Sequence, residues 1–376
     1  MRKYERSAVS EVLGDTIIYR NLIPVDPRLP ALADIWEQIG LPSMSVPRKT
    51  TPEYARVVTH ILEEAQGLMN PGSQIQRVVF VGDTRLNDGT AFLNICQTGN
   101  WSGMAFIAAE QDAPQHYDLE EGKPGRLFLA NRWAALQDFA EYCKDQDFHI
   151  DDQTVVLLDL DKTTLGARGR NDQVIDQVRI KAANQTIREL LEDDYDEQVF
   201  SAAYQRLNQP EFHPFTADNQ DYLVYICLIL GSGLIKLEVL TDQVKSGKLA
   251  TFDQFLSSIE QGADQLPVKL QRVHGDVFSL VNQGDPTPFK EFRHHEYLAT
   301  AAHMGHLKAG TPVDEVLSQE ITITHEVRQA ALTWKEQGAL MFGLSDKPDE
   351  ASIPGPELAA KGYQAIHHIE TDVVGA

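Results

Sequence analysis

Residues 155–165, Val-Val-Leu-Leu-Asp-Leu-Asp-Lys-Thr-Thr-Leu, carry four apolar side chains directly into two carboxylates. An apolar run of this length, rich in Val and Leu, is typical of a strand buried in a parallel sheet. Residues two apart face the same side of a strand, so Asp159 and Asp161 are expected to emerge together at its carboxyl end. Ligands bind at this end of an open α/β sheet. Adjacent carboxylates repel each other, and Mg2+, which prefers oxygen ligands, commonly holds them.

The composition limits the class of protein. The chain has 376 residues, which suggests two domains or one domain with an insertion, because single cores stop growing at about 250–300 residues. A formal net charge of −22 argues against nucleic acid or a membrane surface as a partner. The three cysteines show no disulfide or zinc spacing, and the amino terminus has no signal-peptide core. The most apolar run, 222–235, is too short for a membrane span and is predicted to be a buried helix. We therefore expect a cytoplasmic protein.

A second apolar run, residues 78–82, also ends in acidic residues. Asp83 falls at the carboxyl end of this predicted strand, and Asp88 follows five residues later. Asn87-Asp88-Gly89 is also ordinary turn chemistry, and Asp88 could instead cap the following helix. The run therefore predicts a second acidic strand end, with the role of Asp88 open.

Lys49 precedes a predicted helix that begins at Pro52. Thr51 suits the N-cap, and Pro52 suits the first helical position. Anions bind at helix N-termini, although a lysine in a loop is more often a solvated charge.

Residues 171–315 are predicted to be a helical insertion, with one helix over Phe289–His306. Histidines at helical spacings there permit a metal site to be drawn, but the spacing matches no zinc motif. Substrate contact and a structural role remain open for His294, His295, His303 and His306. After the insertion, we predict a helix over 326–337, a strand over 339–345 that ends at Ser345, and a last strand over 365–369.

Four of these motifs resemble those of the haloacid dehalogenase-like (HAD) hydrolases. Asp159-Leu160-Asp161-Lys162-Thr163 resembles the first motif, D-x-D-x-T after an apolar strand. The strand ending at Ser345 resembles the second motif, Lys49 before its helix resembles the third, and Gly82-Asp83 with Asp88 resembles the fourth. The resemblance covers roughly 45–170 and 318–376, and each motif falls at the appropriate strand or helix end.

The order of the motifs departs from the family. It reads third, fourth, first, second, which a circular permutation produces, and permutation is tolerated when the original termini lie close together. A rival reading keeps the usual order and takes Asp346 and Asp349 as the acidic motif, but it leaves Gly82-Asp83 unexplained. We therefore predict a three-layer, Rossmann-like α/β core of residues 1–170 and 318–376, with a helical cap over 171–317.

The resemblance implies a role for each motif. Asp159 is the expected nucleophile, and Asp161 the expected general acid and then general base. Asp88 is expected either to approach the metal through water or to orient Lys49. The implied Mg2+ ligands are Asp83, Asp88, Asp159 and Asp161. The implied phosphate and substrate contacts are Lys49, Thr163, Arg168, Arg170 and Ser345, with solvated surface as the alternative for the two arginines.

The expected activity is that of a Mg2+-dependent phosphatase acting on a small phosphorylated metabolite. The acid at position 161 favours phosphoryl transfer, since dehalogenating relatives lack it. A phosphotransferase or mutase of the same chemistry is the first alternative, and a catalytically idle binding protein of the same fold is the second. The sequence does not indicate an oligomeric state.

Overall fold

The computed structural model describes residues 1–122 and 124–376. In this part of the chain the strands are, in chain order, β1 (Arg2–Ser7), β2 (Ile17–Ile18), β3 (Arg77–Gly82), β4 (Ser102–Ala108), β5 (Tyr117–Glu121), β6 (Gly125–Ala130), β7 (Thr154–Asp159), β8 (Ile323–Thr324), β9 (Leu340–Leu344) and β10 (Thr371–Gly375). They form a seven-stranded sheet, ordered β2-β9-β7-β3-β4-β6-β5, and a three-stranded sheet, ordered β1-β10-β8.

The seven-stranded sheet is parallel except for β5, which pairs antiparallel with β6 at one edge. Strands β4 and β6 follow β3 on one side of it in the sheet, and the next strand in the chain, β7, pairs with the other side of β3. The direction of winding therefore reverses between β3 and β7. In open α/β sheets such a reversal opens a crevice at the carboxyl ends of the two strands, where ligands bind.

The chain divides into two compact units, Met1–Gln177 with Thr300–Ala376, and Val178–Ala299. The helical unit is narrower at both ends than the range 171–317 expected from the sequence. Helices of the first unit are α1 (Ser10–Leu13), α2 (Leu32–Ile35), α3 (Pro52–Met69), α4 (Thr90–Gly99), α5 (Leu136–Asp145), α14 (Val313–Gln319), α15 (His325–Glu336) and α16 (Pro356–Ala360). Helices α6 (Asp172–Leu191) and α13 (Lys290–Ala301) each cross one boundary between the units.

Helices cover both faces of the large sheet. Phe80 of β3 packs against Phe92 of α4, with ring centroids 6.3 Å apart. Phe80 lies beside Ala105 in register, so the next residue, Phe106, faces the opposite side. There Phe106 packs against Phe139 of α5 at 5.7 Å. The unit is therefore α/β, with a largely parallel sheet between helices, and fits a Rossmann-like fold.

The second unit contains α7 (Glu197–Leu207), α8 (His213–Thr216), α9 (Gln220–Gly231), α10 (Leu237–Lys245), α11 (Phe252–Glu260) and α12 (Val268–Asn282). Helix α9 is its centre, buried continuously from residue 223 to 230, as predicted for the most apolar run. Beside it the buried Arg293 guanidinium pairs with Asp221 and Glu296. Among the described residues, no helix is both long enough and apolar enough to cross a membrane.

Two predictions about secondary structure were wrong. Residues 366–368 form a 3-10 turn, and the last strand is β10, which begins at Thr371. The turn buries the side chain of His367, and β10 finds its partners in β1 and β8. The helix expected over Phe289–His306 ends at Ala301, so His303 and His306 lie beyond it.

Candidate functional site

The site lies at the carboxyl ends of the neighbouring strands β3 and β7. Asp159 is the last residue of β7 and is 5% exposed. Val81 of β3 pairs with Leu158 of β7, and the two strands are parallel. Asp83, the first residue after β3, therefore lies at the same end of the sheet as Asp159. The carboxylates of Asp83, Asp88 and Asp159 each offer an oxygen within 4.8 Å of the others. The structure therefore brings together three acids from two strand ends, as the motifs predicted.

Asp88 belongs to a π-helical turn, Arg85–Gly89, that follows β3. Its Oδ2 accepts hydrogen bonds from the backbone N of Asp83 at 3.0 Å, and from the backbone N and hydroxyl of Thr84, each at 2.9 Å. A side chain at Gly82 would place a Cβ 2.7 Å from the Cβ of Asp88, so glycine is needed for this close approach. The backbone thus holds Asp88 in one orientation.

Lys49 joins the two strand ends. Its Nζ donates to Asp88 Oδ1 at 2.6 Å and to Asp159 Oδ1 at 2.7 Å, and the side chain is 4% exposed. The chain reaches this position just before α3, whose first turn is capped by the Thr51 hydroxyl and starts at Pro52. Three hydrogen bonds hold Oδ2 of Asp88, so its Oδ1 has a fixed position from which it orients Lys49. This is one of the two roles expected for Asp88.

Burial and charge oppose each other in this cluster. Burial raises the pKa of Asp159, and the charge of Asp88 adds to this, while Lys49 lowers it; the net shift is upward. Burial and the charges of Asp159 and Asp88 also raise the pKa of Asp83. Burial lowers the pKa of Lys49, but the charges of Asp159 and Asp88 raise it more. Burial and mutual repulsion therefore favour the protonated forms of Asp83 and Asp159 by more than the cation of Lys49 offsets.

Arg168 is the second cation at the cluster. Its Nε donates to Asp83 Oδ2, and its side chain is 36% exposed, whereas that of Asp83 is 6% exposed. The Arg168 backbone carbonyl accepts from the indole N–H of Trp133 at 3.1 Å and from the backbone N of Glu110 at 2.8 Å. Of the two predicted arginines, Arg168 is the one that reaches the acids.

The turn after β7 is tied back to the strand. Thr164 donates to the Asp159 carbonyl oxygen through its hydroxyl at 2.7 Å. Thr163 is fully buried; its hydroxyl lies beside the Asp159 carboxylate and lowers the pKa of that group, yet it makes no hydrogen bond of normal length. Asp161 lies in the same turn, half-buried, outside the group of three carboxylates.

Ser345 follows β9, the other neighbour of β7. Leu344 pairs with Asp159, so Ser345 lies one residue beyond the nucleophile position expected from the motifs, at the same sheet edge. It is 3% exposed, its N donates to the Ile18 carbonyl, and its Oγ accepts from the Lys347 N at 3.1 Å.

The two rival acids, Asp346 and Asp349, lie outside the group of three carboxylates. Asp346 is about half exposed and pairs with Arg20 at 3.8 Å, and Asp349 accepts from the backbone N of Asn21 at 2.8 Å. The charge of Asp346 contributes to the raised pKa of Lys49, but neither acid belongs to the cluster formed by Asp83 and its neighbours.

Two of the four histidines considered in the insertion, His295 and His306, contact other protein groups. In the helical unit, His295 contacts the Thr186 hydroxyl at 2.8 Å and Glu189 at 3.2 Å. His306 Nε2 lies 3.1 Å from the Ala301 carbonyl. Among the described residues, no potential metal-binding group includes His294, His295, His303 or His306.

Arg170 is placed in a buried ion network. Its side chain is 2% exposed and pairs with Glu110 at 2.8 Å and with Glu326 at 2.9 Å. Among the described residues, no ion pair joins it to the three carboxylates. The sequence did not predict these glutamates as partners, because they lie 60 and 156 residues away.

We expect Arg170→Met to destabilise the protein by about 3 kcal/mol, because it leaves the largely buried Glu326 without its cation, whereas Glu110 keeps its pair with Arg132. Urea unfolding measures this change. Arg85→Met is the control: it removes an arginine from an exposed pair with Glu120 and should leave the unfolding midpoint essentially unchanged. A stable Arg170→Met protein with a raised KM would instead support the substrate contact first expected for this residue.

Comparisons with known proteins do not identify a family for this chain. No family model matches the chain, and no significant match was found among curated proteins or among solved structures. The case for a function therefore depends on the motifs and on the arrangement of the cluster.

Proposed function

We propose that this protein is a Mg2+-dependent phosphatase that hydrolyses a small phosphomonoester through an aspartyl-phosphate at Asp159. The observation that supports this most is the buried Lys49-Asp88-Asp159 contact beside Asp83, at the carboxyl ends of β3 and β7. It combines a nucleophile, a lysine and further acids at the position where the fold binds ligands.

The residues fit a hard divalent cation. Asp83 and Asp159 offer oxygen ligands only, as Mg2+ prefers, and both have raised pKa values because of burial and their neighbours' negative charge. A further positive charge would favour their ionised forms. We propose Asp83, Asp159 and the Asp161 backbone carbonyl as ligands, with Asp88 acting through Lys49. When bound, Mg2+ would reduce the repulsion between the phosphate and the attacking carboxylate.

The chain's own residues would carry out two displacements. In the first, an Asp159 carboxylate oxygen bonds to phosphorus while the bond to the leaving alkoxide breaks, and Asp161 gives that oxygen its proton. In the second, Asp161 takes a proton from water, the water oxygen bonds to phosphorus, and the bond from phosphorus to the Asp159 oxygen breaks, which regenerates the carboxylate and frees inorganic phosphate. Lys49, Ser345 and the Thr163 hydroxyl would bind phosphoryl oxygens.

The permuted order and the usual order assign the metal to different acids, and two matched variants separate them. We expect Asp83→Asn to lower Mg2+-dependent activity on the order of 10²-fold or more, since metal charge stabilisation is worth several kcal/mol. Asp346→Asn, which changes a half-exposed acid, should alter activity by less than about threefold. Steady-state assays across a Mg2+ titration measure both. A large loss in Asp346→Asn with an active Asp83→Asn would restore the usual motif order.

A screen of phosphorylated metabolites, with Mg2+ and with EDTA, tests the proposed activity itself. We expect release of inorganic phosphate from at least one small phosphomonoester only when Mg2+ is present. Adding sugars and alcohols to the same reactions separates hydrolysis from transfer, since an acceptor that captures the phosphoryl group faster than water would indicate a phosphotransferase. Mg2+ binding without turnover across the panel would favour a binding protein.

A further inference from the structure

A second group of potential metal ligands, Asp15, His367 and His368, lies at the amino ends of the strands of the large sheet. Asp15 precedes β2 by two residues, and β2 runs parallel to β9 and β7. Asp15 therefore lies at the amino ends of these strands, whereas Asp159 lies at a carboxyl end. The turn that follows α16 brings His367 and His368 to Asp15. This group is separate from the proposed phosphatase site and does not depend on it.

The donor atoms of the three residues lie close together. Asp15 Oδ1 is 3.2 Å from His367 Nε2 and 2.8 Å from His368 Nε2, and one donor atom from each residue lies within 4.8 Å of the others. Ligands bound to a tetrahedral ion at about 2.0–2.1 Å lie about 3.3 Å from one another. The two spacings from Asp15 are close to this value and the spacing between the two histidine donor atoms is at most 4.8 Å, so a metal would require movements of the two imidazoles of about 1 Å.

Tyr19 supplies the outer support that metal-binding histidines usually have. Its hydroxyl lies 3.0 Å from His367 Nδ1, and both side chains are almost completely buried. A histidine that binds metal through one nitrogen normally donates its other N–H to a fixed partner, which sets the orientation of the ring. The contact with Tyr19 directs His367 Nε2 toward Asp15 in this way.

Water can reach the Asp15 side of this group. A cavity of about 400 Å3 is lined by Asp15 together with Gly14, Thr16 and Arg28, and the side chain of Asp15 is 49% exposed. His368 is 41% exposed on its side chain. Water can therefore reach the metal position and fill a coordination place that the protein leaves open.

We propose that Asp15, His367 and His368 bind a transition-metal ion of the Zn2+ class, with water from the cavity as the fourth ligand. Two imidazoles with one carboxylate suit Zn2+ better than Mg2+. The bound ion would join a turn near the carboxyl terminus to the segment that begins β2, a two-residue edge strand. A ligand that binds only the folded state stabilises it, so Zn2+ should raise the unfolding temperature.

Calorimetry with ZnCl2 on the full chain, in saturating Mg2+, tests the proposal. We expect saturable binding of one Zn2+ and, with Co2+ as a probe, the visible absorption typical of tetrahedral coordination. His368→Gln and Asp15→Asn should each weaken binding at least about tenfold, and Tyr19→Phe, which removes only the outer hydrogen bond, about tenfold. These changes avoid the fully buried His367, so the variants are expected to fold.

Two controls make the outcome specific. His149→Gln removes an exposed histidine 3.0 Å from Asp147 and should leave Zn2+ affinity unchanged. Asp83→Asn should keep the Co2+ absorption, which would separate this site from the carboxylates at the other edge. If His368→Gln binds Zn2+ like the unmodified protein, or no saturable binding occurs, the group is only a histidine–aspartate ion pair and the proposal is wrong.

Discussion

Asp159→Asn is expected to reduce the proposed phosphatase activity by at least about 10⁴-fold, the order of effect found when a covalent nucleophile is removed. The asparagine amide fills nearly the same volume but cannot form the phosphorylated intermediate. Lys49 would keep its 2.6 Å contact with Asp88, so the fold is expected to survive. Single-turnover kinetics with an active substrate, together with mass spectrometry of the quenched enzyme, measures both the rate and the intermediate.

The matched control for this prediction is Asp161→Asn. It should also lower turnover, because the leaving oxygen loses its acid and water loses its base. It should nevertheless still accumulate phosphate on Asp159 with a substrate whose leaving group needs little protonation. Full activity in Asp159→Asn, or a phosphoenzyme that persists without this carboxylate, would contradict the nucleophile assignment.

The strands that form the site could be predicted because each carries its own local signal. Residues 155–158 and 78–81 are uninterrupted apolar runs that end in acids, and β7 and β3 occupy these positions. Thr51 and Pro52 likewise gave the correct start of α3. The two acidic strand ends could be expected at one sheet edge, since both strands are parallel and buried.

Other elements gave no local signal. Strand β5 is largely exposed, with three acidic residues among its five, so no apolar pattern marks it. Strand β10 is buried, but its pairing partners lie at the opposite end of the chain and at 323–324, and no short window contains them. For the same reason, the convergence of Asp15 with His367 joins residues 352 positions apart and could not be read from spacing.

The contacts within the site also join residues that are far apart in sequence. Lys49 could be placed before a helix, but its partners Asp88 and Asp159 are 39 and 110 residues away. From the local sequence, Asp88 could be a turn residue, a helix cap or a site acid. In the structure it lies in a turn and also contacts Lys49. Arg168 and Arg170 look equivalent in sequence, yet only the first reaches the acids.

Lys49→Met should lower the free energy of unfolding of the metal-free protein by about 3–5 kcal/mol, because it leaves Asp88 and Asp159 buried without their shared cation. The charges of these acids hold the pKa of Lys49 above its usual value, although burial opposes them. Lys49 therefore stays charged until the pH rises through its folded-state pKa, whereas the raised pKa of Asp159, about 7, means that this carboxyl is fully ionised only above neutral pH. The ion pair is complete between these two limits, so urea unfolding at about pH 8.5 measures the loss.

Mg2+ should then stabilise Lys49→Met more than it stabilises the unmodified protein. The ammonium group lies 2.7 Å from Asp159 and repels a divalent cation bound to the same carboxylate, so its removal should tighten Mg2+ binding and enlarge the stabilisation that binding brings. Lys162→Met is the control, since it breaks a pair with the half-exposed Asp176 and should cost less than about 1 kcal/mol. If Mg2+ stabilised the unmodified protein, Lys49→Met and Lys162→Met equally, the metal would bind away from Asp159.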